Sequence, residues 1–332
     1  MYLCIPMKQN RKTLLLYILF RKSGNSMIVA DNLTKTFTRK NKKGKKKERI
    51  VAVDHINLKI NKGEIFGLIG PNGAGKTTTI KMLSTLILPD EGSITVNGFD
   101  VVHDAEKVRN NIGVLAGEFT RSLYWRLSGK QNLKFFANLR NMWNHDKRID
   151  ELIQLFGLKK QENELIMKYS TGMKHKLALA VALLNDPPIL FLDEPLTGID
   201  PVTSFQLKNL IKNMFRDKTI IWASHNLYEI EEMCDRIALI NDGKIVLEGT
   251  PNELKKKFWD YEKIVVVSNN ANAFININGA KIKNNVVEIK TKDVTNTLLE
   301  VSDIIQKKNI KVEEIKTIKP TLEEIFMAGV KT

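Results

Sequence analysis

The sequence predicts an α/β protein in which a mostly parallel central sheet is flanked by helices and followed by a smaller α/β domain. From Met27 onward, short apolar runs alternate with longer amphipathic stretches, as expected for parallel strands connected by helices. After Gly249, the composition shifts to Asn, Lys and β-branched residues, which indicates a domain boundary. We therefore expect an N-terminal extension at 1–26, a main domain at 27–254 and an accessory C-terminal domain at 255–332.

Individual elements follow from the same pattern. The stretch from Leu127 to Asn185 is rich in helix formers and lacks strand runs, so a helical subdomain inserted at about residues 118–186 is predicted. The strands predicted for the main domain are Ile65 to Ile69, Ile94 to Val96, Ile112 to Leu115, Ile189 to Leu192 and Thr219 to Ala223. The elements predicted beyond it are a helix starting at Pro251, strands at Lys263 to Val267, Val286 to Thr291 and Ile310 to Ile315, and helices around Val294 to Lys307 and after Pro320.

The net charge of +15 is concentrated at the N-terminal end. The first 49 residues carry 14 Lys and Arg against two acids and so supply +12 of it. The apolar run Leu14 to Phe20 is far shorter than the roughly 20 residues that cross a bilayer. Residues 1–26 are therefore either a basic amphipathic segment that touches anionic lipid or a non-native extension before a start at Met27. The basic block Arg39 to Arg49 is expected to be a solvated loop between two early strands, with contact to phospholipid or to an acidic partner as the alternative.

A glycine-rich segment lies between a predicted strand and a predicted helix, Thr78 to Leu86. It reads Gly70-Pro71-Asn72-Gly73-Ala74-Gly75-Lys76-Thr77 and matches the pattern G-x-x-x-x-G-K-[ST]. Its glycines let backbone N–H groups surround phosphates, and the helix N-terminus adds positive potential. Lys76 can reach the β and γ phosphates, and Thr77 offers a hydroxyl to Mg²⁺. The segment, with Thr78 after it, predicts a binding site for ATP with magnesium.

Two acids, Asp193 and Glu194, end the apolar strand that starts at Ile189. Both carboxylates therefore lie at the carboxyl end of a parallel strand, where such sheets bind ligands. We expect Asp193 to hold magnesium directly or through water, and Glu194 to act as the general base that orients the attacking water. A solvated helix start at Pro195 is the alternative, and the presence of the glycine-rich segment disfavours it.

The chain resembles the ATP-binding cassette (ABC) superfamily in the order of its motifs. After the phosphate loop come Tyr169-Ser170-Thr171-Gly172-Met173 at a helix start, the acidic strand, Gly198-Ile199-Asp200, and His225 after the next strand. The resemblance covers roughly Met27 to Leu254. It implies the P-loop NTPase fold of ABC nucleotide-binding domains, with an antiparallel β subdomain beside the parallel sheet and an inserted helical subdomain.

The resemblance also implies how the site residues would work. ABC domains bind ATP as head-to-tail pairs, so Ser170 and the backbone of Gly172 would meet the γ-phosphate that Lys76 of a second copy binds. His225 would contact the γ-phosphate and Glu194, and Asp200 would link the two sites across the interface. A lone His is more often structural, but its position in this series favours the functional role.

Some positions depart from the family pattern or allow two interpretations. Phe37 occupies the place of the aromatic that stacks on adenine, although an aromatic near a strand end is commonly part of the core. The family's Mg²⁺-contacting Gln is missing: Gly117 sits at its expected position, and Glu118 either substitutes for it or is a solvated acid. The signature itself has Thr171 for a glycine and Met173 for a glutamine. Leu196 replaces a threonine.

The segment Lys319 to Phe326 looks like the closing motif of accessory domains in bacterial ABC exporter ATPases of the multidrug, antibiotic-resistance and sodium-export type. This resemblance implies an ABC-2 type exporter ATPase that drives separate multi-span membrane subunits from the cytoplasmic face of the cell membrane. We expect the partner contact around Gly117 to Gln131, where Leu123-Tyr124-Trp125 supplies either apolar anchors or ordinary core residues.

A soluble ABC ATPase that acts on nucleic acid or ribosomes is the competing class, and the basic first 49 residues favour it. Against it, the chain carries one cassette, has no room for a long insertion between Lys76 and Asp193, and has two cysteines, too few for the zinc sites of such proteins. No nucleic-acid partner is therefore expected. A catalytically silent regulator is disfavoured because all four residues expected at the chemistry are present, namely Lys76, Asp193, Glu194 and His225.

Overall fold

The computed structural model describes residues 26–40, 47–117, 122–258, 262–318 and Glu323. Three expectations fall largely or wholly outside these residues: those for the N-terminal extension, for Glu118 and for the closing motif. No helix in the described ranges is long and apolar enough to cross a membrane.

The described residues form strands and helices in alternation. The strands are β1 (Ser26–Lys40), β2 (Lys47–Asn61), β3 (Ile65–Ile69), β4 (Glu91–Val96), β5 (Phe99–Asp100), β6 (Ile112–Leu115), β7 (Ile189–Asp193), β8 (Thr219–Ser224), β9 (Arg236–Asn241), β10 (Lys244–Gly249), β11 (Glu262–Ser268), β12 (Ala280–Lys283), β13 (Val286–Thr291) and β14 (Val312–Ile318). The helices are α1 (Lys76–Leu83), α2 (Ala105–Asn110), α3 (Gly129–Leu139), α4 (Asp146–Leu155), α5 (Thr171–Ala182), α6 (Pro201–Met214), α7 (Leu227–Met233), α8 (Pro251–Phe258) and α9 (Val294–Lys308).

The central sheet has six strands in the order β10-β9-β3-β8-β7-β6. All neighbouring pairs are parallel except β9 with β10, which are antiparallel. A second sheet, β2-β1-β4-β5, is antiparallel and contains the predicted run Ile94 to Val96. The predicted fold class, a mostly parallel sheet with an antiparallel subdomain and inserted helices, is confirmed.

The two faces of the central sheet bury different apolar cores. In β7, Leu190 and Leu192 point to a core shared with the helical subdomain, whereas Ile189 and Phe191 point to a core shared with α1 and the antiparallel sheet. Alternation along a strand sends successive side chains to opposite faces, so a fully apolar strand indicates a sheet covered on both sides. Its carboxyl end is therefore held rigidly, which fixes the residues that follow it.

A third sheet, β12-β13-β11-β14, follows α8 and is antiparallel throughout. Its apolar core includes Phe274, beside β11, and Val301 from α9. The predicted strand Val286 to Thr291 matches β13, whereas the last strand begins at Val312 and not at Ile310. The reason is local: α9 is closed by Asn309 in the left-handed region, and the Ile310 N–H donates to the Ile305 carbonyl of the same helix.

Two other predicted boundaries are wrong, and the local backbone structure explains both differences. The loop expected over Arg39 to Arg49 is shorter, because β1 and β2 continue to pair as far as Lys40 and Lys47. The antiparallel backbone ladder thus extends into the basic block at both ends. The helix expected over Thr78 to Leu86 begins two residues earlier, at Lys76, and ends at Leu83, shortly before Thr85 adopts φ +64°.

Candidate functional site

The phosphate loop connects β3 to α1. Gly75 has φ +110°, and a Cβ there would overlap the backbone oxygen of Ala52. A Cβ on Gly70 would likewise overlap the backbone oxygen of Ile240. Glycine is therefore required at Gly75 for its conformation, and at both positions for close backbone approach. The result is a loop pressed against two neighbouring strands, with the first turn of α1 directly behind it.

Lys76 is the first residue of α1 and is only 5% exposed. Its Nζ donates to the carbonyl oxygens of Gly70 at 2.6 Å and of Pro71 at 3.1 Å. Burial lowers the pKa of the Lys76 ammonium, while the nearby carboxylates of Glu194 and Asp193 act in the opposite direction. The carbonyl oxygens of the loop thus hold the Lys76 ammonium, and the phosphate oxygens of a ligand can replace them as its acceptors.

Asp193 ends β7 and is 2% exposed. Burial raises the pKa of its carboxyl, and the charge of Glu194 adds to this, whereas interactions with the Thr77 side chain, the Gly117 N–H and Lys76 lower it. Among the described residues, nothing donates a hydrogen bond to the buried Oδ1 of Asp193. A buried carboxylate oxygen without a donor is costly unless a cation binds it.

This donor set fits magnesium. Asp193 and Thr77 offer a carboxylate and a hydroxyl, which are the hard oxygen ligands that Mg²⁺ prefers, and Mg²⁺ usually keeps waters and phosphate oxygens as its other ligands. Gly117 provides its N–H and no side chain, and a Cβ at this residue would lie 3.5 Å from Asp193 Oδ2. The position expected for the missing Gln therefore adjoins the predicted metal ligand.

Glu194 and His225 form a pair at the ends of β7 and β8. The Glu194 N–H donates to the Ala223 carbonyl at 2.8 Å, and Glu194 adopts φ +52°, a backbone conformation that is strained for a residue with a side chain. Its carboxylate accepts from the His225 N–H at 3.1 Å, and His225 Nδ1 lies 2.8 Å from Oε1. The Thr197 hydroxyl donates to Oε2 at 2.9 Å. These contacts hold the carboxylate at the edge of the sheet.

A cleft of about 960 Å³ opens above these groups. It lies at the carboxyl ends of the parallel strands, as ligand sites in such sheets do. The predicted site residues among those that line it are Asn72, Thr77, Asp193, Glu194 and His225. Lys76 lies beneath them, close enough to both carboxylates to feel their charge.

Other predicted site residues lie outside the lining of this cleft. Ser170 caps α5, its hydroxyl accepting from the Met173 N–H at 3.2 Å. Asp200 caps α6 in the same way, accepting from the Thr203 N–H at 2.9 Å. The two helix starts touch, because a Cβ on Gly172 would come within 2.9 Å of a Thr203 methyl. Together they form a second face, next to the cleft.

Phe37 lies in β1 and is 43% exposed, so it is not part of the core. Its ring is 5.8 Å from the ammonium of Lys35, and its neighbour across the strand pair is Ile50. An exposed ring supported by a rigid strand pair is available for stacking on a flat ligand. Its role as the adenine platform stays a prediction.

Sequence reasoning missed three groups around the site. Thr197 supports Glu194, His175 is buried in the wall of the cleft with Nδ1 2.9 Å from the Thr171 carbonyl, and Glu229 bonds to residues beside His225. Thr197 and His175 lie near recognised motifs but carry no pattern of their own. Glu229 lies in the first turn of α7, and no motif marks it because its role depends on side-chain contacts with Ser224 and Asn226.

Comparisons with known proteins agree with this geometry. Residues 53–197 match the family described as ABC transporter, and residues 249–330 match the family described as ATP-binding protein DrrA1-3-like, C-terminal domain. The ABC transporter ATP-binding protein NatA of Bacillus subtilis is 39% identical over 212 residues, which are 63% of this chain and 86% of that protein. The daunorubicin resistance ATP-binding protein DrrA3 of Streptomyces coeruleorubidus is 33% identical over 83% of this chain and 90% of its own length.

Among solved structures, the ATP-binding cassette MJ0796, described as a dimer in a post-hydrolysis state bound to ADP and Pi, superposes with a TM-score of 0.60. It is 26% identical and covers 68% of this chain and 98% of its own. The resemblance inferred from the order of the motifs is confirmed. The chain therefore belongs to the ABC transporter ATP-binding proteins, with an ABC cassette followed by a DrrA-like C-terminal domain.

Proposed function

We propose that this chain is the subunit of an ABC-2 type exporter that binds and hydrolyses Mg-ATP, and that it works as a pair of head-to-tail copies. The observation that carries the proposal is the convergence of a lysine, a buried acid and an acid–histidine pair around one cleft. These residues are Lys76, Asp193, Glu194 and His225. Phosphoryl transfer needs this combination of positioning and charge stabilisation.

Each residue has a distinct task in the proposed reaction. Lys76 binds β and γ phosphate oxygens, and Thr77 with Asp193 would hold Mg²⁺, which would supply positive charge against the phosphates. Glu194 orients the attacking water. Because a carboxylate can only accept, His225 Nδ1 carries the proton that faces Glu194. In the imidazolium form Nε2 also carries a proton and would donate it to a γ-phosphate oxygen. The water and the phosphate are thus held by two linked side chains.

The second half of the site would come from another copy. Ser170 and Gly172 stand at a helix N-terminus, where the backbone dipoles and free N–H groups favour an anion. They adjoin the start of α6 and are not among the residues that line the cleft, which supports their use on ATP bound by a partner. The dimeric state described for the MJ0796 cassette supports the same arrangement.

The contact with membrane subunits is proposed at the surface around Tyr124 and Trp125. These side chains are 47% and 53% exposed, whereas Leu123 beside them is buried and anchors the segment. The ring of Tyr124 packs on Phe135 with centroids 4.4 Å apart, which stiffens the patch. Exposed aromatics on a rigid base favour an interaction surface over ordinary core. Such a partner would hold the chain at the cytoplasmic face of the membrane.

Co-purification from native membranes tests the transport role. We expect the tagged wild-type chain to retain a multi-span membrane protein, and the double variant Tyr124→Ala/Trp125→Ala to lose it. Trp143→Ala is the matched control, because Trp143 is an exposed aromatic (89%) elsewhere in the helical subdomain. Capture of ribosomes or DNA in place of a membrane protein would favour the soluble nucleic-acid class.

Hydrolysis of ATP by the purified chain tests the chemistry separately. We expect this activity to be abolished by EDTA and by Lys76→Ala.

A further inference from the structure

The residues on either side of His225 are both tied to one carboxylate. Ser224, the last residue of β8, is 1% exposed, and its hydroxyl donates to Glu229 Oε2 at 3.1 Å. On the other side, Asn226 Nδ2 donates to Glu229 Oε1 at 3.0 Å. Glu229 lies in the first turn of α7 and is half-buried. Its two oxygens thus hold the two neighbours of the proposed phosphate-contacting histidine.

A third bond closes this arrangement into a ring. The Asn226 N–H donates to Ser224 Oγ at 3.0 Å, so the Ser224 hydroxyl accepts from one side and donates to Glu229 on the other. His225 is the residue enclosed between these contacts. Because both flanking residues are fixed, the backbone from which the imidazole projects has little freedom to rotate.

A capping box does not explain the arrangement. In a capping box, the glutamate of the first turn accepts from the backbone N–H of the N-cap residue. Here that N–H belongs to Asn226 and goes to Ser224, while the Asn226 side chain caps the helix alone by accepting from the Tyr228 and Glu229 N–H groups. One Glu229 oxygen therefore holds the N-cap side chain of Asn226, and the other reaches back to Ser224, so the carboxylate joins the helix start to the strand end on either side of His225.

The surroundings of Glu229 connect it to the reacting groups. Burial raises the pKa of its carboxyl, and the bonds from Ser224 and Asn226 act against this. The charge of Glu194 raises the same pKa, and His225 lowers it, so both members of the acid–histidine pair are within electrostatic reach. A half-buried acid is held here at a cost that its two hydrogen bonds offset.

We infer that Glu229 is a positioning residue for hydrolysis: through Ser224 and Asn226 it holds His225 in the orientation that serves the γ-phosphate. This inference rests on the proposed function, because it assigns a role within that reaction. Glu229 itself acts through His225 and lies outside the lining of the cleft. Its loss should slow turnover and leave ATP binding intact.

Glu229→Gln tests the inference in the full-length chain. A glutamine amide can still accept from Asn226, but it carries no charge and can bond to Ser224 only by donating to the hydroxyl, so the charge-assisted bond that Ser224 donates is lost. We expect kcat for ATP to fall about 10-fold and KM to change by less than about twofold, since Lys76 and the phosphate loop are untouched. Glu232→Gln is the control on the same helix: it removes a carboxylate that pairs with Lys208 at 2.5 Å, remote from His225, and should retain wild-type kcat.

A double-mutant cycle separates positioning from general destabilisation. Ser224→Ala breaks the same ring, so Ser224→Ala/Glu229→Gln should lose no more kcat than the more damaging single variant. Losses that multiply, or an unchanged kcat in Glu229→Gln, would overturn the inference. If Glu229→Gln does not fold, as judged by thermal unfolding, Ser224→Ala alone must lower kcat at unchanged KM or the inference fails. A wild-type chain that does not hydrolyse ATP would instead sink the proposed function.

Discussion

The buried carboxylate of Asp193 shows how a single residue trades stability for ligand binding. Its Oδ1 has no donor among the described residues, and burial raises the pKa of the group. A carboxyl whose folded-state pKa is raised contributes stability below its unfolded value and loses it as the pH rises through the folded value. At neutral pH the negative charge of Asp193 therefore destabilises the ligand-free protein. A cation bound to this carboxylate would make the charge stabilising.

We expect Asp193→Asn to raise the thermal unfolding midpoint of the ligand-free protein at pH 7 by a few degrees, and to lower Mg-dependent ATP hydrolysis by about 100-fold or more. Asp186→Asn is the control with the opposite sign. Asp186 accepts from Lys218 Nζ at 2.8 Å, and this bond lowers the pKa of its carboxyl. Calorimetry should show a higher unfolding midpoint for Asp193→Asn and a lower one for Asp186→Asn. A lower midpoint for Asp193→Asn would contradict the prediction.

Phe37 offers a test of nucleotide recognition at the same scale. Since its ring is 43% exposed, Phe37→Ala should leave the fold intact and weaken ATP binding about 2- to 10-fold, the range for an aromatic contact of about 0.5–1.5 kcal/mol. The matched change is Ile50→Ala, its cross-strand neighbour, which is 40% exposed and has no ring. Titration with a fluorescent ATP analogue measures the affinity of both variants. If Ile50→Ala loses as much affinity as Phe37→Ala, the strand pair and not the ring is responsible.

At the scale of the elements, the antiparallel sheet is held by a clasp of hydrogen bonds around Asp90, which no sequence motif predicts. Asp90, just before β4, accepts from Lys35 Nζ at 2.7 Å, the Thr36 N–H at 2.7 Å and the Thr36 hydroxyl at 2.8 Å. These bonds lower the pKa of the Asp90 carboxyl to about 2, with the Lys35 bond contributing most. The clasp fixes β1 immediately before Phe37, so it supports the strand that presents the ring.

Asp90→Asn should therefore lower the free energy of unfolding by about 1 kcal/mol at pH 7, a modest value because the side chain is one-third exposed. For a lowered carboxyl pKa, the stabilisation is complete above the ordinary value of 3.8 and is lost as the pH falls towards 2. Urea unfolding at pH 7 and at about pH 3 should show the difference between the two proteins shrinking. A difference that does not change with pH would mean that the charge of Asp90 is not involved.

Element boundaries depended on contacts that have no sequence pattern. The core strands β3 and β6 match their predicted ends because both are short apolar runs that begin after a polar residue, Glu64 or Asn111, and end one or two residues before a glycine. The ribbon β1–β2 runs further into the basic block than predicted, because cross-strand backbone pairing and not hydropathy decides its length. Hydrophobic periodicity gives no prediction for a strand segment that consists of charged residues.

For the whole molecule, the proposed paired site predicts that turnover depends on a second copy. The cleft is lined by Thr77 and Glu194 but not by Ser170, which caps α5 beside the start of α6 at Asp200. Binding of ATP by the phosphate loop alone should be possible in a monomer. Hydrolysis should then rise more steeply than linearly with protein concentration.

Glu194→Gln gives a direct measurement of this dependence. We expect turnover to fall by about 100-fold or more through loss of the general base, and ATP to shift the variant to a dimer on size-exclusion chromatography. Glu194→Gln/Lys76→Ala should remain monomeric because the phosphate contact is lost. A single Glu194→Gln variant that stays monomeric at saturating ATP would rule out the paired site.

The sequence by itself determined the fold class, the phosphate loop, the acidic strand end and the family. The physical reason is that each depends on local chemistry: glycines at fixed spacing, an apolar strand and the charges that follow it. Only the tertiary structure decided which groups support them, because those contacts join segments far apart in the chain. It brought Asp90 to Thr36, pressed Gly70 against the backbone of Ile240, and left an oxygen of Asp193 without a donor.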